Sequence, residues 1–384
     1  MIHLILAAGF TVIAVANTAP ASQAATSTSA SWACAYVSSR LPRALTLLGS
    51  DTASAEEARA ARKRLQLGNA VLTRASNLAI ARALRASRLV SVRCGSDVAN
   101  ITLDAIPYDV ERPLVGAAVR VTRPAADLAG AIDEVARQLS PSAPVAGANR
   151  FRAPSAKALA KAGAALDRES VGERAAGLKQ ALDEDPTSLD LRLAAIDTLI
   201  AARDFEGAER LAAAQPPDDA PPSLVRALRF LRASALLDIG RYAEAAEKLE
   251  GLRREQETAA VLNNIGVVRF RMRAPAAAVP FERAAVLVDH RQRDITFNRS
   301  LALMFDGKAE QALPSLELTL RTDPTDVRTR LLRVWSLKML GREQERGEEW
   351  GRLMAMAPSF SLLANPDLAR RLERIFYSER NPES

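Results

Sequence analysis

The stretch "FNRSLALMFDGKAEQALPSLELTLRTDP", Phe297 to Pro324, decides how most of this chain is read. Its skeleton returns in "LGREQERGEEWGRLMAMAP", Leu340 to Pro358: Gly307 is followed by Gly341 and Pro324 by Pro358, both 34 residues on. The residues between differ, so the interval is imposed by geometry rather than by duplication of a simple sequence. A period of 20–50 residues is the mark of stacked supersecondary units. Helical runs separated by short polar turns fill the chain from Ser155 onward, with almost no strand signal.

Aligned on the turn, further units appear at "DIGRYAEAAEKLEGL" around Gly240 and at "RMRAPAAAVPFERA", where Arg273 stands in place of glycine. An earlier unit, "AARDFEGAERLAA", precedes Gly240 by a longer interval that the "QPPDDAPP" loop absorbs. The turn demands a residue tolerant of left-handed φ, which glycine supplies at least cost. Ala208, Ala245, Ala277 and Ala312 occupy a small-residue position after the turn; Phe281 with Ala284, and Leu249 with Leu252, follow at packing positions. Arg346 stands where the same pattern expects alanine.

These features resemble the tetratricopeptide repeat family, over roughly Ser155 to Pro358 and about six units, three of them clear. The resemblance implies an α-solenoid of helix pairs, a 155–358 array closed by a capping helix at 359–384. It also implies a concave groove that takes a partner protein or extended peptide. In members that bind peptides, asparagine at the sixth repeat position grips the ligand backbone, and Asn264 and Asn298 match that place. Arg271 and Arg299 are near enough in sequence to add positive charge, which suits an acidic partner. The other reading of Asn264 and Asn298 is that they tie neighbouring repeats together.

Ahead of the array the pattern changes. Residues 33–140 read as a small α+β domain: three helical runs, a hairpin in "RLVSVRCGSDVANITLDAI", a third strand in "LVGAAVRVT", and a closing helix "AADLAGAIDEVARQL". Pro42 interrupts the first helix in this reading, and 141–154 is a Pro/Ser/Ala-rich linker. The module is similar in topology to the TolB amino-terminal domain and to flagellar or curli-assembly modules. The fold class expected is therefore mostly α, a small α+β domain followed by a solenoid. At the start, Leu4 to Ala16 are apolar and "SQA" ends at Ala24, so 1–24 reads as a signal peptide and the protein as periplasmic or exported. A short tethering helix is the other reading, and peripheral membrane association is left open. Cys34 and Cys94 either pair or remain separate buried thiols.

The composition is that of a folded protein, 48% hydrophobic and 25% charged, with net charge +7. The basic excess is scattered arginine on helix faces, so a solvated surface is expected in preference to nucleic-acid binding. Phe230 in "RFLR" and Phe270 in "RFRMR" fit helix packing. The sequence contains no zinc-type His or Cys cluster, phosphate loop or nucleophile elbow. His290 reads as a turn residue, and Asp183-Glu184 and Glu348-Glu349 as solvated faces. No catalytic residue, metal or cofactor is expected. The alternative function is an enzyme or ligand-binding module in the N-terminal domain, beginning at Asp97 and Asp104, with the array as a docking arm.

Overall fold

The computed structural model describes residues 12–18, 28–47, 53, 55–67, 73–84, 86, 88–96, 100–110, 114–124, 127–140, 154–218, 220, 222–287, 293–322 and 324–356. The chain divides between Gln256 and Glu257 into two compact units.

The first unit opens with a sheet in the order β1 (Val12–Thr18), β2 (Arg88–Ser96), β3 (Asn100–Asp109), β4 (Val119–Pro124). The expected hairpin is β2–β3, antiparallel with Ser96 opposite Ile101, and β4 joins antiparallel with Val121 opposite Leu103. A strand the sequence reading did not expect lies beside them: β1 pairs parallel with β2, Val12 against Arg88 through Thr18 against Cys94. The run that reads as the apolar part of a leader is also a strand pattern, since a short apolar stretch is common to both. Alternation puts Val90, Val92, Cys94, Ile101, Leu103, Ala105, Val119 and Val121 in the core, under α1 (Thr28–Leu47) and α4 (Leu128–Leu139). α4 contributes Leu128, Ala131, Ile132, Val135 and Ala136, spaced three and four apart on one buried face. α2 (Ala55–Arg64) and α3 (Arg74–Ala83) follow α1; Leu78 and Ala81 of α3 pack with Leu89 and Val110.

α1 runs unbroken through Pro42, where an interruption was expected. Tyr36, Val37, Leu41, Ala44 and Leu45 are all buried along it, and that apolar stripe outweighs the lost backbone donor.

The helix pairs of this unit are α5 (Ala156–Leu166) with α6 (Val171–Glu184), α7 (Leu189–Ala201) with α8 (Phe205–Ala213), and α9 (Pro222–Ile239) with α10 (Tyr242–Glu255). Residue 140 marks a change of secondary structure but no break in the core. One hydrophobic cluster runs from Tyr36 through the sheet and α4 to Leu159, Leu178 and Leu191. Polar contacts seal the same junction. Glu56 of α2 receives Arg174 of α6 bidentately at 3.0 and 2.6 Å. Asp190 of α7 receives Tyr36, Arg40 and Arg43 of α1.

The second unit contains α11 (Ala259–Arg271) with α12 (Ala278–Leu287), α13 (Arg293–Phe305) with α14 (Ala309–Thr322), and α15 (Val327–Met339) with α16 (Glu343–Met356). The turns inside the pairs keep the 34-residue frame from Arg273 to Gly307 to Gly341, with Gly240 33 residues before Arg273 and Arg203 37 before Gly240. Gly240, Gly307 and Gly341 have φ of +96°, +75° and +68°; Arg203 and Arg273 adopt the same left-handed conformation at +65° and +55°. Ala208, Ala245, Ala277 and Ala312 are buried, as are Phe281, Ala284, Leu249 and Leu252. Arg346 is half-buried beside Glu343, 2.7 Å away, so the last second helix does without the small residue. Among the described residues no helix is long and apolar enough to cross a membrane. The capping helix expected at 359–384, all but Pro154 of the linker, Asp97 and His290 lie outside the described residues, as does the side chain of Cys34.

Candidate functional site

The first helices of the second unit, α11, α13 and α15, pack on one another in sequence. Asn264 and Asn298 lie between α11 and α13, but at 1% and 3% exposure. Asn298 Nδ2 donates to Asn263 Oδ1 at 3.0 Å, and Asn263 Nδ2 donates to Asn264 Oδ1 at 3.3 Å. The amides thus form a buried relay from one repeat to the next, with Asn263 as its middle member. Buried amides need such partners, because an unsatisfied one costs about 1–3 kcal/mol. The doublet in "LNNIGVV" was the available sign of Asn263, and the repeat frame assigns it no position.

Arg299 and Arg271 part company. Arg299 turns toward the second helices, donating to Ser315 Oγ at 2.9 Å and lying 3.6 Å from Glu282. Arg271 is half-buried on the last turn of α11. The structure therefore brings Asn264 and Asn298 together through Asn263, and turns Arg299 toward Ser315 and Glu282 instead of toward them.

What the first-helix face does carry is aromatic. Phe270 and Phe305 stack edge to face at 5.1 Å and 70°, and Phe305 and Trp335 at 5.2 Å and 82°. The ladder crosses α11, α13 and α15 near their C-terminal ends, and edge-to-face pairs of this kind add about 0.5–1.5 kcal/mol each beyond area burial. Trp335 is buried at its inner end, whereas Phe305 is 37% exposed. Met272 just after α11, and Met339 and Leu340 at the end of α15, are exposed as well. Each repeat thus leaves apolar side chains at the same end of its first helix. Aromatic and methionine side chains are the types enriched at protein interfaces.

Around the hairpin of the N-terminal module, where the alternative function would begin, the described residues show no comparable convergence. Asp104 faces Arg120 across β3 and β4 at 2.5 Å, a cross-strand pair on the exposed side of the sheet. Among the described residues no group of three acidic, histidine or cysteine side chains is placed to hold a metal.

A family model for the tetratricopeptide repeat matches residues 175–229, from α6 into α9. No curated protein sequence matches the chain. Solved structures of similar fold include YrrB, described as a TPR protein with an unusual peptide-binding site. It is 16% identical over 52% of this chain and 99% of its own, with a TM-score of 0.38. The MamA protein is 17% identical over 44% of this chain and 92% of its own, at 0.36. The pilF protein of Pseudomonas aeruginosa is 20% identical over 54% of this chain and 94% of its own, at 0.42. The family match lies outside 33–140 and bears on the repeats alone.

Proposed function

We propose that this chain, which carries tetratricopeptide repeats, is a non-enzymatic interaction scaffold of the bacterial cell envelope that docks a partner protein or extended peptide on the first-helix face of α11, α13 and α15. The observation that carries this reading is the Phe270–Phe305–Trp335 ladder, packed firmly at Trp335 and open at Phe305. A rigid aromatic with one face to solvent contributes contact area at little entropic cost, which is how interface anchors act. The buried asparagine relay beneath holds α11 and α13 in register, so the ladder is presented by a preorganised support. The envelope location rests on the apolar Leu4–Ala16 run and the small residues before Ala24.

The test is cross-linking of the full chain in cells, identification of the captured protein, and affinity measurement against it. Phe305→Ala is expected to weaken binding per folded molecule by about 1–3 kcal/mol, and to lower stability by about 1–3 kcal/mol as well, because it removes both edge-to-face contacts of the ladder. Asn264→Ala with Asn298→Ala is expected to lower stability and leave affinity per folded molecule unchanged. The opposite pattern would restore the asparagines as ligand contacts and remove the ladder from the site.

A further inference from the structure

The second unit has another face, built where α14, α15 and α16 meet. A cleft of about 530 Å³ is lined there by Glu317 and Arg321 of α14, Arg330 and Arg333 of α15, and Glu349 and Arg352 of α16. Glu349 is fully buried at its floor and takes a hydrogen bond from Arg330 Nη1. Arg333 Nη1 reaches its other oxygen at 2.5 Å, and Arg352 Nη1 the same oxygen at 3.0 Å. Arg330 also donates through Nη2 to the carbonyl of Pro324 at 2.6 Å, and Arg333 through Nη2 to Glu317 at 3.3 Å. One carboxylate is therefore shared by three guanidinium groups.

Charge on this surface does not balance. Four arginines face Glu317 and Glu349; even with Glu348 lying 3.9 Å from Arg352, positive charge is in excess. Arg321 makes no ion pair among the described residues. Arg330, more than nine-tenths buried, and Arg333 each keep an Nε atom buried without a hydrogen-bond partner. A buried donor left unmade and a desolvated cation in excess both favour an incoming anion. The guanidinium fork matches a planar carboxylate bidentately, yet here each arginine meets a given carboxylate through a single nitrogen, so no cleft carboxylate fills a whole fork.

We infer that the α14–α16 cleft binds side-chain carboxylates of an acidic protein segment. The size suits a short segment, since 300–1,000 Å³ is the range of ordinary ligand sites. The cleft shares no residue with the aromatic ladder, although α15 contributes Arg330 and Arg333 to one and Trp335 to the other, so either site can fail without the other.

The probe is a fluorescent octaglutamate peptide titrated against the full chain at low and at high salt. Saturable binding that weakens with salt is expected, as is a loss of about tenfold for Arg321→Glu and for Arg352→Gln. Both side chains are exposed enough to change without unfolding the unit, which circular dichroism would verify. Arg210→Glu, an exposed arginine of α8 in the other unit, serves as the control for net charge and is expected to stay within about twofold. Absence of saturable binding, or equal losses for Arg210→Glu and Arg321→Glu, overturns the inference. So does inorganic phosphate displacing the peptide as readily as free glutamate residues do, because the cleft would then read oxyanions in general.

Discussion

Tyr36 donates its hydroxyl hydrogen to Asp190 Oδ2 at 2.5 Å, joining α1 of the N-terminal module to α7 of the repeat array across 154 residues of sequence. Arg40 reaches the same oxygen at 3.0 Å and Asp133 of α4 at 3.1 and 3.2 Å, while Arg43 donates to Asp190 Oδ1 at 2.8 Å. Tyr36, Arg40 and Asp190 are all essentially inaccessible to water. Breaking one member of a buried pair leaves an uncompensated charge, at a cost of about 3–5 kcal/mol. Asp190→Asn is therefore expected to destabilise the first unit by that amount. Tyr36→Phe, which removes one hydrogen bond to a charged acceptor, is expected to cost about 1.5–3 kcal/mol. Hydrogen exchange of α1 and α7 amides reads both; an unchanged rate in Asp190→Asn would show that the apolar core alone holds the junction.

The same network predicts acid behaviour. Burial pushes the Asp190 carboxyl upward, but the guanidinium groups of Arg43 and Arg40 and the Tyr36 hydroxyl prevail and hold it at about 2. A depressed carboxyl stabilises the fold above its unfolded value of about 4 and loses that contribution as pH falls through the folded value. Asp133 has the opposite sign: burial, ahead of the opposing pull of Arg40, raises it, so its contribution is present at low pH and lost as pH rises through its folded value. The junction is thus expected to loosen between about pH 4 and pH 2. In Asp190→Asn the acid-induced step in α1 exchange should shrink. A step of full size in that variant would assign it to other carboxylates.

Gly266 of α11 packs against the ring of Phe281 of α12 so closely that a Cβ would lie 2.6 Å from it. Gly266→Ala is expected to cost about 1–3 kcal/mol by overpacking, and the double variant with Phe281→Leu to recover part of that loss. Ala245→Leu and Ala312→Leu should fall in the same range, since both positions are fully buried. Denaturant unfolding checks all four, and neutral behaviour at Ala245 and Ala312 would mean that the helix pairs are in a different register.

Much of the array was legible because left-handed turns advertise themselves as glycine: Gly240, Gly307 and Gly341 mark three of the five left-handed turns between paired helices. Arg203 and Arg273 carry no such sign: the period pointed to Arg273, 34 residues before Gly307, whereas Arg203 lies 37 residues before Gly240, off the period. Where side chains from separate helices converge, the sequence was silent. Glu349, which its pairing with Glu348 made look solvated, is fully buried because Arg330, Arg333 and Arg352 close over it. Arg299 points to Ser315 rather than toward the asparagines, a matter of which side of α13 it occupies rather than of its distance in sequence. Tyr36 and Asp190 lie too far apart for any local pattern to pair them.

The two arginine turns give a prediction of opposite sign. A non-glycine residue in the left-handed region costs about 1–2 kcal/mol, which Arg203→Gly and Arg273→Gly would relieve. Glycine gives back part of that gain through the entropy of the unfolded chain, about 0.4–1 kcal/mol. A net stabilisation of about 0.5–1 kcal/mol is expected at each site, seen as a raised thermal midpoint. Destabilisation at Arg273 would mean that its side chain contributes contacts worth more than the strain.

The N-terminal strand makes the final prediction. β1 occupies the open edge of β2 with seven paired residues, Val12 to Thr18, yet these residues belong to the segment that reads as a leader. Cutting after Ala24 would strip β1 away and leave β2, β3 and β4 with their cores intact, because Val92, Leu103 and Val121 are covered by α1 and α4. The exported form is therefore expected to fold without β1, and to begin at Ala25 when the protein from the envelope fraction is sequenced from its amino end. An exposed β2 edge is open to pairing with another strand. The chain beginning at Ala25 is accordingly expected to self-associate more than the full chain in analytical ultracentrifugation. Recovery of the full chain with Met1 in place, from cells expressing the complete gene, would end the export reading and make β1 a permanent fourth strand.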